Sequence, residues 1–319
     1  MTNIGPGTAG PGTAGPGTGR TGTAGPDAPV LDGRILERGY RHYEGTRLGT
    51  GHAMKAMARH TFQRIMGLRR GGRAKVLPFA AVIIAYLPAI SFIGLLALVG
   101  DAQRRSTFAF LRPPSGYYGY VTAAILLLVT FVAPEALCPD RRWRSLSLYL
   151  ASPLDRRTYL VAKAGAIAGA ISLVSLGPVL LYAIGRAVQN AGPHGLGGFV
   201  AEEVRIVAAG VFLAVCFTAI SMAISSLTDR RGLAIGGTLL LLLGSRFVFG
   251  VLFYGFKIGP LVKLVDLAAG PYEVVQRIFG EPGEVPGLPT AVLFGWYALL
   301  ITGCGAFVMN RYRKLLVTR

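Results

Sequence analysis

The sequence predicts an all-α membrane protein with six transmembrane helices, and three observations carry that prediction. Apolar residues make up 52% of the chain while its net charge is +18, and the two populations occupy different stretches. Six apolar runs of about 20 to 25 residues follow one another from residue 76 onward, the length a helix rising ~1.5 Å per residue needs to cross the hydrocarbon core. Lys and Arg crowd alternate connectors between those runs, so most of the chain has lipid for its solvent.

Residues 1–30 are a Gly, Pro and Thr-rich tail built on the five-residue repeat GPGTA. Collagen needs glycine at every third position and a signal peptide needs an apolar core, and the tail has neither. Without hydrophobes it cannot offset its ordering entropy, so it reads as disordered. Residues 31–75 form a basic cytoplasmic segment. Within it Met54, Met57, Ala58, Phe62, Ile65 and Met66 recur at three- and four-residue steps, with Lys55, Arg59 and Arg64 between them. That spacing gathers apolar side chains on one helical face with cations beside it, as in an interfacial helix on a membrane or a helix seated on a partner.

The six-helix transmembrane domain takes residues 76–310, with spans at Val76–Val99, Tyr118–Leu137, Leu160–Ile184, Val204–Leu227, Gly232–Phe256 and Thr290–Met309. In lipid each backbone N–H and C=O must be bonded inside its own segment, which makes these runs helices. Pro88 and Pro178 predict kinks within the first and third spans. Residues 311–319 are a cytoplasmic basic tail.

Most of the 33 Lys and Arg lie before the first span, between spans two and three, between spans four and five, and after span six. The positive-inside rule therefore puts both termini in the cytoplasm, with the chain multi-pass in a bacterial plasma membrane. The same excess suits anionic lipid headgroups and does not call for nucleic acid. Cys138, Cys216 and Cys304 are too widely spaced for a disulfide framework, and His42, His52, His60 and His194 form no HxxxH or HExxH pattern. No metal and no catalytic residue is expected from such a set.

The connector Ala133–Lys163, APEALCPDRRWRSLSLYLASPLDRRTYLVAK, is too long for a turn and dense in arginine, yet apolar at Leu146, Leu148, Tyr149 and Leu150. An apolar patch rimmed by cations outside the membrane marks a docking surface or an interfacial helix. The stretch resembles the first cytoplasmic loop of type-2 ABC exporter permeases. The likeness rests on Asp140, the LSLYLASPL element Leu146–Leu154, the pair Arg156–Arg157, and Tyr159, Leu160 and Lys163. The segments RGYRHYEGTRLG (Arg38–Gly49) and RRGGRAKVLP (Arg69–Pro78) are similar to actinobacterial members.

That resemblance implies a cytoplasmic coupling helix in the loop, seated in a groove of a separate ATPase, with two permease copies and two ATPases in the working exporter. The docking residues it implies are Asp140, Arg141, Arg142, Arg144, Leu146, Leu148, Tyr149, Leu150, Pro153, Leu154, Arg156 and Arg157. It also implies an amphipathic or hydrophobic substrate (drug, natural product or lipid-like), as in multidrug resistance. No GxxxxGK[ST] phosphate loop occurs in the sequence, so ATP and Mg are expected on the partner ATPase.

Three further features are singled out. Lys257–Leu288 is long for a connector and is punctuated by Pro260, Pro271 and Pro286, and family members resembling this chain carry short re-entrant helices there. Arg246 is an intramembrane cation in span five, a functional candidate whose expected partners are Glu202, Glu203 or Asp101, or else the outer headgroups. Glu135 is expected at the inner interface, and Gly165–Gly169 offers a small-xxx-small packing face. The alternatives to an exporter permease are an ion-gradient-driven secondary transporter, which usually shows repeats and midplane carboxylates, and the membrane anchor subunit of an envelope complex.

Overall fold

Thr50–Ile65 is α1, a segment of alanine, methionine and arginine with no β-branched run to oppose the helix. It stops where Gly67 takes φ +67°, with the Gly67 N–H donating to the Arg64 carbonyl and the Leu68 N–H to the Gln63 carbonyl. This is a Schellman end, and its left-handed residue has no Cβ to clash. A Cβ there would also meet the Ala74 carbonyl, so the turn folds tightly onto the start of the next helix.

The computed structural model describes residue 45 and residues 48–68, 71–98, 114–145, 149, 152–189, 192–193 and 195–314. The tail over 1–30, Asp101, Leu146, Leu148, Leu150 and residues 315–319 lie outside them. Apart from residue 45, the described residues belong to one unit, Arg47–Arg319.

Among the described residues six helical stretches are long and apolar enough to cross a membrane: Ala74–Leu98, Pro114–Arg142, Arg156–Val188, Gly195–Ser225, Arg231–Gly255 and Thr290–Lys314. Each contains or overlaps one predicted span. The first belongs to α2 (Gly72–Leu98) and the second is α3 (Pro114–Arg142). The third is α4 (Arg156–Ser175) followed by α5 (Gly177–Val188), and the fourth is α6 (Gly195–Ser225). The fifth joins α7 (Arg231–Gly250) to a π-helical turn, Val251–Gly255. A 3₁₀ turn, Pro260–Val265, and α8 (Gly270–Ile278) precede the sixth span, α9 (Thr290–Lys314).

Burial orders these helices. About 72% of the apolar window of α3 is buried, against 22% for α2 and 17% for α9. So α3 is the central post and α2, α7 and α9 show lipid a wide face. In α2 the buried side is Ala81, Ala85 and Ala89, one small residue per turn against α3 and α5, while Ile83, Leu87 and Ile90 point outward. Small residues let helix backbones approach closely, which is how helices associate where no hydrophobic drive exists between them.

Tyrosine hydroxyls from neighbouring helices bond backbone carbonyls close to two of the prolines. The Tyr117 hydroxyl donates to the Ala85 carbonyl (2.7 Å), three residues before Pro88. The Tyr86 hydroxyl donates to the Leu173 carbonyl (3.2 Å) ahead of Pro178. At Pro178 the expected kink is a one-residue interruption at Leu176, between α4 and α5. Leu176 lies over Gly210 of α6, and the Ser175 hydroxyl donates to the Gly210 carbonyl (3.1 Å). A Cβ at Gly210 would overlap the Leu176 side chain. Gly210→Val is therefore expected to cost about 1–3 kcal/mol by overpacking, seen as a lower thermal midpoint in detergent. A midpoint equal to wild type would show that this crossing has slack.

The predicted amphipathic helix is present, but its apolar face is occupied by the chain itself. Met57, Thr61 and Ile65 are buried, and α1 lies against α4 and, to a lesser extent, α3. The prolines of Lys257–Leu288 act as expected. Pro260 opens the 3₁₀ turn and Pro271 the first turn of α8, whose Val274 and Val275 are fully buried against α6 and α3.

Candidate functional site

The six spans bring charged side chains together at both ends of the bundle. One end, called the basic end here, holds α1, the starts of α2, α4 and α7, and the ends of α3, α6 and α9. The other, the far end, holds the 3₁₀ turn and α8.

At the basic end the centre is Asp140, buried in the last turn of α3. It accepts from Lys163 Nζ of α4 (2.7 Å) and Arg64 Nη1 of α1 (3.2 Å), and the Tyr159 hydroxyl donates to it at 2.9 Å. Lys163 Nζ also donates to the Ala136 carbonyl (3.1 Å), three residues before Pro139. A buried ammonium is tolerable only when paired and hydrogen-bonded, and Lys163, 1% exposed, meets both conditions. One helical turn deeper, Glu135 pairs with Arg231 Nη1 at the start of α7 (2.6 Å) and approaches Arg64 Nε (3.7 Å). Glu135 is thus a tie between α3 and α7.

After α3 the chain turns through Arg144 at φ +52°. The Arg144 N–H donates to the Arg141 carbonyl and the Ser145 N–H to the Asp140 carbonyl, a Schellman end with arginine at the left-handed position. A non-glycine residue there costs roughly 1–2 kcal/mol.

The predicted docking residues divide into two sets. Arg142, Arg144, Pro153, Arg156 and Arg157 are exposed. Asp140 and Leu154 are buried, at 2% and 6% exposure, so they anchor the loop from within. Arg141 turns inward, with Nη1 donating to the Ser226 carbonyl and to the Thr228 carbonyl (3.1 Å), which clasps the connector between spans four and five. Tyr149 is half-buried beside Tyr159, its ring 5.7 Å from Lys163 Nζ, and burial raises its hydroxyl pKa, with Asp140 adding to the shift and Arg64 opposing it. Leu146, Leu148 and Leu150 lie outside the described residues. Sequence reasoning passed over Trp143, which is 69% exposed among these arginines with the Arg64 guanidinium near its ring.

At the far end Arg246 has partners other than those expected. Its Nη1 binds Asp266 Oδ2 at 2.7 Å and its Nη2 lies 3.8 Å from Glu284 Oε1. Glu202 instead faces Arg186 (3.7 Å), because the 3₁₀ turn carries Asp266 across to α7 and leaves Glu202 with the end of α5. Lys263, fully buried, bridges Asp266 (3.2 Å) and Glu284 (2.6 Å) over the Phe249 ring. Asp266 also closes the turn that leads into α8 by accepting from the Ala269 N–H (2.9 Å). Among the described residues no group of three His, Cys, Asp or Glu side chains gathers as a metal site.

Residues 134–263 match the family model described as ABC-2 family transporter protein. Over this segment the chain is similar to ABC-2 transporters. No curated protein matches the chain. The matched segment begins one residue before Glu135 and ends at Lys263. It therefore takes in Asp140, Lys163 and Arg231 of the basic cluster, and Arg246 with Lys263 at the far end. The predicted docking residues, Asp140 to Arg157, all lie within the match, while Arg64 and Asp266 reach its clusters from outside.

Proposed function

We propose that the chain is the membrane half of an ATP-driven exporter, in which two copies form the path for an amphipathic or hydrophobic compound. A separate ATPase, holding ATP and Mg, docks on the loop between spans two and three. The basic end faces the cytoplasm, in keeping with its excess of Lys and Arg.

The observation that carries this reading is an exposed cationic surface on a locked base. Arg142, Arg144, Arg156 and Arg157 are exposed, as is Trp143, while the end of α3 and the start of α4 that carry them are pinned by the buried Asp140–Lys163–Arg64 group. Exposed Trp with Arg is the composition of an interface anchor, not of a surface left to water. Arginine rather than glycine at the left-handed position Arg144 adds to this, since the strain is retained along with the side chain. A rigid base lets a push on the loop move α3 and α4 instead of dissipating in a flexible turn.

The test is a pull-down of tagged full-length chain from its native membranes, with mass spectrometry and an ATPase assay. A soluble protein with a phosphate loop is expected to co-purify. The double variant Arg156→Glu, Arg157→Glu is expected to release it while the thermal midpoint stays near wild type, since both side chains are exposed. Purification without any ATPase, and without nucleotide turnover, would reject the reading.

A further inference from the structure

A cavity of about 290 Å³ lies at the basic end between α1, α2, α3 and α7. Its charged wall is Arg64, Glu135 and Arg231. Arg64 also meets Asp140, which Lys163 shares, so across the linked cluster three cations face two carboxylates and leave a positive excess. Nη2 of Arg64 is buried and donates no hydrogen bond, so one donor stands ready beside the cavity while Nε faces Glu135. Arg231 is only half-buried, so its remaining donors are within reach of a ligand.

Two helix starts reinforce the sign. Gly72 opens α2 and Arg231 opens α7, and neither helix has an acidic residue in its first turn. The free N–H groups and positive dipole ends of both helices therefore favour an anion at this level. The other seven lining residues are apolar, among them Leu77, Leu128 and Phe131. Leu128 and Phe131 lie one to two turns inward from Glu135, so the cavity passes from a charged wall to an apolar one along the membrane normal. A free phosphate would gain nothing from that apolar wall. A phosphate ester that continues into glycerol and acyl chains would use all of it.

We propose that this cavity binds the headgroup phosphate of an anionic phospholipid, with Arg64 and Arg231 on the phosphate and the glycerol against Leu77 and Phe131. The site rests on the six membrane spans and not on the ATPase reading, so the two stand or fall separately.

Native mass spectrometry of the full-length chain tests it, with phosphatidylglycerol, phosphatidylcholine and inorganic phosphate offered in turn. Phosphatidylglycerol is expected to stay bound at roughly thirtyfold lower concentration than phosphatidylcholine, in line with ~1 kcal/mol for each of the two arginines at a lipid surface. Arg231→Gln should lower that preference about fivefold. Because this variant also frees Glu135, Leu77→Trp, which fills the half-buried side of the cavity without changing charge, should abolish retention as well. Equal retention of the two lipids would overturn the proposal. So would retention unaffected by both variants, which marks annular lipid, or equal occupancy by inorganic phosphate, which marks a free-anion site.

Discussion

Asp140→Ala is expected to be among the most damaging single substitutions in this protein, at about 3–5 kcal/mol. Asp140 is the carboxylate that Lys163 and Arg64 share, and it also receives the Tyr159 hydroxyl. Its removal leaves an ammonium that is 1% exposed with the Ala136 carbonyl and the Tyr149 and Tyr159 rings but no counter-charge on α3 beside it. An unpaired buried charge costs far more than a lost contact, because the group has given up water and received nothing in exchange. Adding Lys163→Met is expected to restore much of the loss, since taking out both members of a buried pair is often close to neutral. The native thiols report the outcome. Cys138 and Cys216 are buried, whereas Cys304 is partly accessible. In a Cys304→Ser background, maleimide labelling during heating follows unfolding. A midpoint unmoved by Asp140→Ala, or a double variant no better than the single one, would refute the shared-carboxylate account.

Asp266→Ala is expected to unfasten the far end while sparing the middle of the bundle. This side chain is fully buried and joins three segments: Arg246 of α7, Lys263 of the 3₁₀ turn and, through the Ala269 N–H, the turn leading into α8. Without it Lys263 retains only Glu284, and the local cost is again about 3–5 kcal/mol. The remaining ties at this end hang on Glu273, which accepts the Glu284 N–H (2.9 Å), so the connector should loosen over its first half. Hydrogen exchange is the direct readout. Amides of residues 260–278 should exchange faster, with the midsections of α3 and α6 unchanged. Asp266→Asn keeps an acceptor for that turn and should show a smaller effect. Exchange identical to wild type would mean that apolar burial of Val274 and Val275 holds α8 without the ionic group.

The positions of the spans were legible because lipid imposes one strong rule, that each crossing be a long apolar helix with its backbone satisfied internally. Pro260 and Pro271 announced two short helices in the same way, since proline is tolerated in a first helical turn and scarcely within one. Arg246 was legible as an anomaly but not as a pair. Its partner lies 20 residues along, on the far side of a π turn and a 3₁₀ turn, and no periodicity connects such positions. The face of α1 was legible as amphipathic, but nothing in its spacing distinguishes lipid from α4 as the apolar neighbour.

The docking loop shows the same division most sharply. Its arginines are conspicuous in sequence, yet Arg141 faces inward and Arg142 outward because α3 rotates each residue by about 100° from the last. Composition therefore determined, from the sequence by itself, the solvent of the chain, the number of crossings and the segment that merits attention. Only the tertiary structure decided which charges are structural and which are free to meet another molecule. Ion pairs such as Asp140 with Arg64, or Glu135 with Arg231, join residues 76 and 96 apart in the chain. Local sequence carries no signal for such pairs, because their energy exists only once packed helices exclude water from both partners.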